Sequence, residues 1–228
     1  MKLLLTSGGI TNDTLAKELE TLAGKPFSEL KIGFIPSAAF GDQSADKSWL
    51  IRDMNRLVER GATVAVISLS DCTSEEIASQ LAPVDVIFVG GGDTFYLSWI
   101  MQQKGLFEFI PQLLETKVYA GISAGSMIAT SDLMTVSYAI KAGGVRDDLG
   151  PSGRSSAMTL GFVPFLVRPH LNSHLVDEIN SGVLETIANR SGKNIYALDD
   201  NCAIKVDGDE VIVVGQGDWR LIAPEGRQ

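Results

Sequence analysis

The chain has 228 residues, 45% of them apolar and 21% charged, which is enough for one large domain with a substantial core. Its formal net charge of −9 argues against nucleic acid and against an anionic membrane surface as partners, since both demand a basic face. No apolar run is as long as a membrane span, and Ser7-Gly8-Gly9 cuts the apolar start too short for a signal peptide. Cys72 and Cys202, far apart in sequence, offer neither a disulfide framework nor a C-x-x-C metal site, so a reducing cytoplasmic home is expected.

The predicted elements alternate strand and helix. Lys2 to Ser7 reads as a first strand and Asn12 to Leu22 as a helix. Lys31 to Pro36 is a buried strand, and Asp46 to Arg60 has helical apolar spacing at Leu50, Ile51, Met54 and Leu57. Ala62 to Leu69 is a third strand, followed by a helix over Ser74 to Leu81 with Ser74 as cap and Glu75 and Glu76 in its first turn. Val84 to Val89 is a fourth strand ending in Gly90-Gly91-Gly92. Phe95 to Gln103 and Leu106 to Leu114 are helical, and Val118 to Ile122 is a fifth strand. Ala142 to Ser156 is rich in Gly and Ser and reads as a surface loop. A helix is expected over Leu175 to Asn189 and a strand over Asn194 to Leu198. Cys202 to Val206 and Glu210 to Val214 flank Asp207-Gly208-Asp209 as a hairpin. Continuous Val/Ile/Leu strands alternating with helices predict an α/β fold whose parallel sheet is covered on both faces. With no repeat or linker, residues 1–228 are expected to form one domain carrying a C-terminal β-hairpin at about 202–215.

The chemistry is concentrated after the fifth strand. Gly121-Ile122-Ser123-Ala124-Gly125 is a G-x-S-x-G pattern at a strand-to-helix junction, the context that presents a serine hydroxyl on a tight turn. The competing reading is a small-residue turn that only packs helix on sheet. A nucleophilic serine needs a base. The chain has two histidines, His170 and His174, and His170, placed where a strand ends, ranks first. An acid to orient the imidazole is offered by Asp199 or Asp200 at the next strand end, or by Asp147 or Asp148 in the Gly/Ser-rich loop; paired aspartates at a strand end are often simple turn formers. Asp132 lies too near the far end of the serine's helix. The Ala124 N–H is the natural oxyanion donor. Gly90-Gly91-Gly92-Asp93-Thr94 can bring a second one from Gly91 or Gly92, with Asp93 or Thr94 as a helix cap.

Taken together, Ile35-Pro36-Ser37-Ala38, Gly90-Gly91-Gly92-Asp93-Thr94, Gly121-Ile122-Ser123-Ala124-Gly125-Ser126 and Pro169-His170 resemble the peptidase E / cyanophycinase family of serine peptidases, peptidase family S51, from the first strand to about Gly215. The resemblance implies a three-layer α/β sandwich with a mostly parallel central sheet, like class I glutamine amidotransferases. It implies Ser123 as nucleophile, His170 as base, and Gly92 and Ala124 as oxyanion donors. Asp200 is the closer match for the acid; an alternative placement between serine and histidine falls on Tyr138 or Lys141. Two departures stand out. The family's glycine motif usually ends in Asn-Thr, where this chain has Asp93-Thr94, a carboxylate that would repel an acidic substrate. The arginine that the aspartyl dipeptidases carry downstream of the histidine has no counterpart in Asp177 to Leu184, leaving Arg146, Arg154 and Arg168 as substitutes.

These readings converge on a cytoplasmic serine peptidase for small peptides, aspartyl dipeptides among them, working through an acyl-enzyme without metal or organic cofactor. It is expected to be a monomer or homodimer, with no nucleic-acid or membrane partner. The rivals are an esterase or acyl-transfer enzyme using the same Ser-His site, and a non-catalytic binding protein on this fold.

Overall fold

The computed structural model describes residues 1–42, 46–133, 156–172 and 181–226. In chain order the elements are β1 (Lys2–Thr6), α1 (Asp13–Ala23), β2 (Lys31–Ile35), the short α2 (Ala38–Gly41), α3 (Ser48–Glu59), β3 (Thr63–Val66), α4 (Ser74–Leu81) and β4 (Val86–Val89). They continue with α5 (Thr94–Gln103), α6 (Leu106–Leu113), β5 (Val118–Ile122), the one-turn α7 (Ala124–Met127), β6 (Leu166–Arg168), α8 (Ser181–Ser191), β7 (Ile195–Leu198), β8 (Cys202–Asp207), β9 (Glu210–Gly215) and β10 (Trp219–Ile222).

Seven strands form the main sheet in the order β3-β2-β4-β5-β1-β8-β9. Its first five members run parallel, and the β8–β9 hairpin adds on antiparallel beside β1. Side chains alternate across it as the two-residue period of a strand requires. Leu4, Ile32, Phe34, Val86, Phe88, Ala120 and Ile122 pack on one face with Leu15, Leu19 and Leu22 of α1 and Leu57 of α3. Leu3, Leu5, Ile35, Ile87, Val89 and Tyr119 pack on the other with α4, α5 and α6 through Ile77, Leu81, Leu97, Ile100, Met101 and Ile110. The three-layer, mostly parallel architecture is therefore the one expected.

The helix ends follow local chemistry. Asn12 caps α1 by accepting the Leu15 N–H, and Gly24 closes it in the left-handed conformation. The cap of α4 is Thr73, not Ser74: Thr73 accepts the Glu76 N–H while the Glu76 carboxylate accepts the Thr73 N–H, a reciprocal capping box. Ser74 instead donates to the Lys104 carbonyl.

The second half departs from expectation in one respect. A separate three-stranded sheet, β10-β7-β6, carries β7 parallel to β6 and antiparallel to β10. Its small core of Leu166, Ile195 and Ala197 rests on Leu184, Ile187 and Ala188 of α8. Sequence pattern gave no sign of β10 because Trp219 and Leu221 remain 47% exposed, so no buried alternation marks the strand. The helix expected from Leu175 is described from Ser181 onward, and most of the Gly/Ser-rich loop lies outside the described residues, as do Tyr138, Lys141, Arg146, Asp147, Asp148, Arg154 and His174. Among the described residues no helix is long and apolar enough to cross a membrane, and both cysteines are free.

Candidate active site

The carboxyl ends of β4, β5 and β1 lie side by side in the main sheet, and those of β6 and β7 in the small one. Each delivers one component of the site, as α/β sheets do at their carboxyl edge. From β5 the chain turns at Ser123 straight into α7. Ser123 has φ 49° and ψ −105°, a conformation that costs a non-glycine residue on the order of 1–3 kcal/mol and persists only under surrounding constraint. That constraint is visible. The Ser123 N–H donates to the Thr6 carbonyl at 3.1 Å. The Ser126 hydroxyl donates to the same carbonyl at 2.7 Å, and the buried Tyr119 hydroxyl donates to the Gly125 carbonyl at 2.6 Å. Position 125 must be glycine, because a Cβ there would lie 2.1 Å from the Val89 carbonyl oxygen.

His170 follows β6 with φ 62°, a second left-handed non-glycine residue. Its Nε2 is 2.9 Å from Ser123 Oγ, and its Nδ1 is 2.7 Å from Asp200 Oδ1, just beyond β7. The bond to His170, ahead of burial that works against it, holds the Asp200 carboxyl below the usual carboxylate range. An ionised carboxylate only accepts, so Nδ1 carries the ring proton of a neutral imidazole and Nε2 is left to accept from the serine hydroxyl. The tautomer needed to draw a proton from Ser123 is thus set by Asp200.

The other acids sort cleanly. Asp199 accepts the backbone N–H groups of Asn201 and Asp218 and is a turn former. Asp132 lies past the end of the one-turn α7 rather than on the serine's helix, pairs with Lys193 and is not among the residues lining the cleft. Asp93 is the N-cap of α5, its Oδ1 accepting the N–H groups of Phe95 and Tyr96, both at 2.9 Å. Its carboxylate borders the cleft, yet its charge is engaged by the helix start. Arg168 on β6 is not among the residues lining the cleft, and burial pushes its guanidinium down to about 10.

The glycine run lies beside the serine turn. The Gly90 N–H is spent on the Ile35 carbonyl and the Asp93 N–H on the Ala38 carbonyl, both at 2.9 Å, while Gly91 and Gly92 between them line the cleft. A Cβ built on Gly91 would lie 3.5 Å from Ser123 Cβ, and one on Gly92, at φ 133°, only 2.3 Å from the Ala38 carbonyl oxygen. Ala124, first residue of α7, has an N–H with no intrahelical partner. Gly91, Gly92 and Ser123 thus line the same cleft, with the Ala124 N–H next to the serine at the start of α7.

The cleft has a volume of about 680 Å³. Its outer wall is a feature that sequence reasoning missed: Trp49, Arg52, Asp53 and Arg56 of α3. Arg56 Nη1 bridges Asp53 Oδ1 at 3.1 Å and the Gly8 carbonyl at 3.0 Å. Burial pushes the Asp53 carboxyl up to about 6 in spite of the opposing Arg56 and Arg52 charges, with Asp200 adding to the rise. Helical spacing marks Leu50, Ile51, Met54 and Leu57 as the apolar stripe of α3, of which Ile51 is instead 59% exposed, and nothing in one sequence shows that the helix's other edge faces a cleft. Among the described residues no group of three or more His, Cys, Asp or Glu side chains is arranged to hold a metal ion.

The family model for peptidase family S51 matches residues 3–214. Peptidase E of Streptomyces coelicolor is 25% identical over 229 residues, covering 97% of this chain and 87% of that protein. A Drosophila melanogaster protein named "Probable alpha-aspartyl dipeptidase" is 26% identical over 161 residues, covering 68% of this chain and 63% of its own length. The crystal structure of a peptidase from an acI-B1 Actinobacterium superposes with a TM-score of 0.71 at 18% identity, over 100% of this chain and 92% of the other, which shows a shared fold.

Proposed function

The chain belongs to peptidase family S51 and is a serine-type peptidase; from that premise we propose that it hydrolyses short peptides through an acyl-enzyme formed on Ser123. His170 Nε2 takes the Ser123 proton as Oγ attacks the scissile carbonyl. The carbonyl π electrons move onto oxygen, where the Ala124 and Gly92 N–H groups receive the negative charge. His170 then gives its proton to the leaving amine, the C–N bond breaks, and the acyl group stays on Ser123. Water, activated by the same imidazole, releases the acid and restores the serine. Asp200 holds the ring and offsets the charge of the transient imidazolium. No step needs a metal or organic cofactor.

The observation that carries this reading is the continuous hydrogen-bonded series from Ser123 Oγ through His170 to Asp200. It also weighs against a non-catalytic binding protein, because a strained serine and a strained histidine would have no reason to meet. A cleft of about 680 Å³ is in the size range of small-ligand sites, which favours short peptides over folded proteins. Aspartyl dipeptides are the first substrates to try, given what one relative's name says of that protein. The test is a dipeptide panel with aspartyl, neutral and basic first residues, run beside simple aryl esters. The reading predicts release of free amino acids by the wild-type protein and none by Ser123→Ala. Turnover of aryl esters with no dipeptide cleaved would favour the esterase reading.

A further inference from the structure

The three proposed triad residues come from three strands in two sheets, and one pair of residues ties them together. Thr6 and Ser7, at the carboxyl end of β1, touch all three. The Thr6 carbonyl fixes the Ser123 backbone N–H. The Ser7 hydroxyl donates to Asp200 Oδ1 at 2.8 Å and accepts the backbone N–H of His170 at 2.8 Å. Ser7 is fully buried, and its own N–H donates to the Cys202 carbonyl on β8 at 3.2 Å. Its buried hydroxyl is thus held between the base and an acid whose side chain stays half exposed, and its bond to the carboxylate is charge-assisted.

We infer that Ser7 is a positioning residue of the catalytic site, its hydroxyl setting both the orientation of the Asp200 carboxylate and the left-handed backbone of His170. The inference rests on the proposed Ser-His-Asp chemistry. The oxygen Asp200 Oδ1 receives two donors, His170 Nδ1–H and Ser7 Oγ–H. Two donors on one oxygen fix the carboxylate in plane and rotation, where one donor alone leaves it free to swing. The Ser7 bond also helps hold the Asp200 carboxyl ionised, after the larger effect of His170. How this oxygen is shared sets how Asp200 engages the His170 ring, so Ser7 acts on the base through Asp200 without touching substrate. At the backbone, φ 62° at His170 needs an external constraint, and the Ser7 oxygen supplies one.

The test is the rate of inactivation by a fluorophosphonate, measured across pH for wild-type protein and Ser7→Ala, with thermal unfolding to confirm the fold. Losing a hydrogen bond to a charged group predicts a fall of about 10- to 100-fold in the plateau rate. The acid limb of the profile should also be displaced from its wild-type position. A folded Ser7→Ala that reacts within twofold of wild type, or that loses rate with its acid limb unmoved, would overturn the inference. If Ser7→Ala does not fold, Ser7→Cys, near in size but a weak donor, is held to the same two criteria. Wild-type protein that fails to react at all would instead sink the serine-peptidase chemistry itself.

Discussion

Replacing Asp200 with Asn removes the charge that steadies an imidazolium and allows the ring to settle in the wrong tautomer, while changing the volume of the side chain hardly at all. By the physics of other Ser-His-Asp sites, Asp200→Asn should lower kcat by about 10³- to 10⁴-fold with the fold intact, as steady-state kinetics and circular dichroism would show. Because folding holds the Asp200 carboxyl below its usual range, its contribution to stability is present above that range and is lost as pH falls through the folded-state value. Asp53 behaves in the opposite sense. Its folded-state value of about 6 lies above the usual range, so between about pH 4 and pH 6 the unfolded chain gives up a proton that the folded chain keeps. Stability from this group therefore declines as pH rises through that window and stays lower above it. Asp53→Asn should gain in melting temperature relative to wild type on going from pH 4.5 to pH 8. Equal differences at both pH values would mean that the wall of the cleft holds a carboxylate of ordinary acidity.

At the scale of elements, helix caps separate stability from chemistry. Thr73 caps α4 on the face of the sheet distant from α3, and it takes no part in lining the cleft. Thr73→Ala should cost about 1 kcal/mol in chemical denaturation and leave peptide turnover unchanged. Asp93 joins the two roles, capping α5 beside the glycine run. Asp93→Asn keeps a good cap, so it should unfold at nearly the wild-type denaturant concentration, whereas Asp93→Ala should lose about 1 kcal/mol. If Asp93→Asn also relaxes the preference among acidic, neutral and basic dipeptides, the carboxylate reads substrate charge as well as holding the helix. The small β10-β7-β6 sheet is the other element with a double role: β6 leads to His170 and β7 to Asp200, so the parallel β6–β7 register sets where the base and the acid meet.

Across the whole molecule, the middle of the main sheet was legible because β1, β2, β4 and β5 are buried on both faces and read as unbroken apolar runs; Val118–Ile122 matches β5 to the residue. The serine turn was legible because close backbone approach demands glycine at 125, and a scarce residue type narrowed the base to two histidines. Pattern alone does not separate Asp200 from Asp199, since adjacent carboxylates at one strand end differ in direction; the family resemblance favours Asp200, and it is the one hydrogen-bonded to His170. Ser7 and the α3 wall were invisible for a related reason. A serine after an apolar strand carries no mark of a partner 193 residues away, and the polar edge of an amphipathic helix looks the same whether it faces water or a cleft. The central claim is that one strained serine is the nucleophile. Peptide mapping by mass spectrometry after fluorophosphonate treatment tests it most directly. A single adduct on Ser123, absent from folded Ser123→Ala and strongly slowed in His170→Ala, is the predicted result; a folded wild-type protein without adduct, or one whose adduct persists in Ser123→Ala, would contradict it.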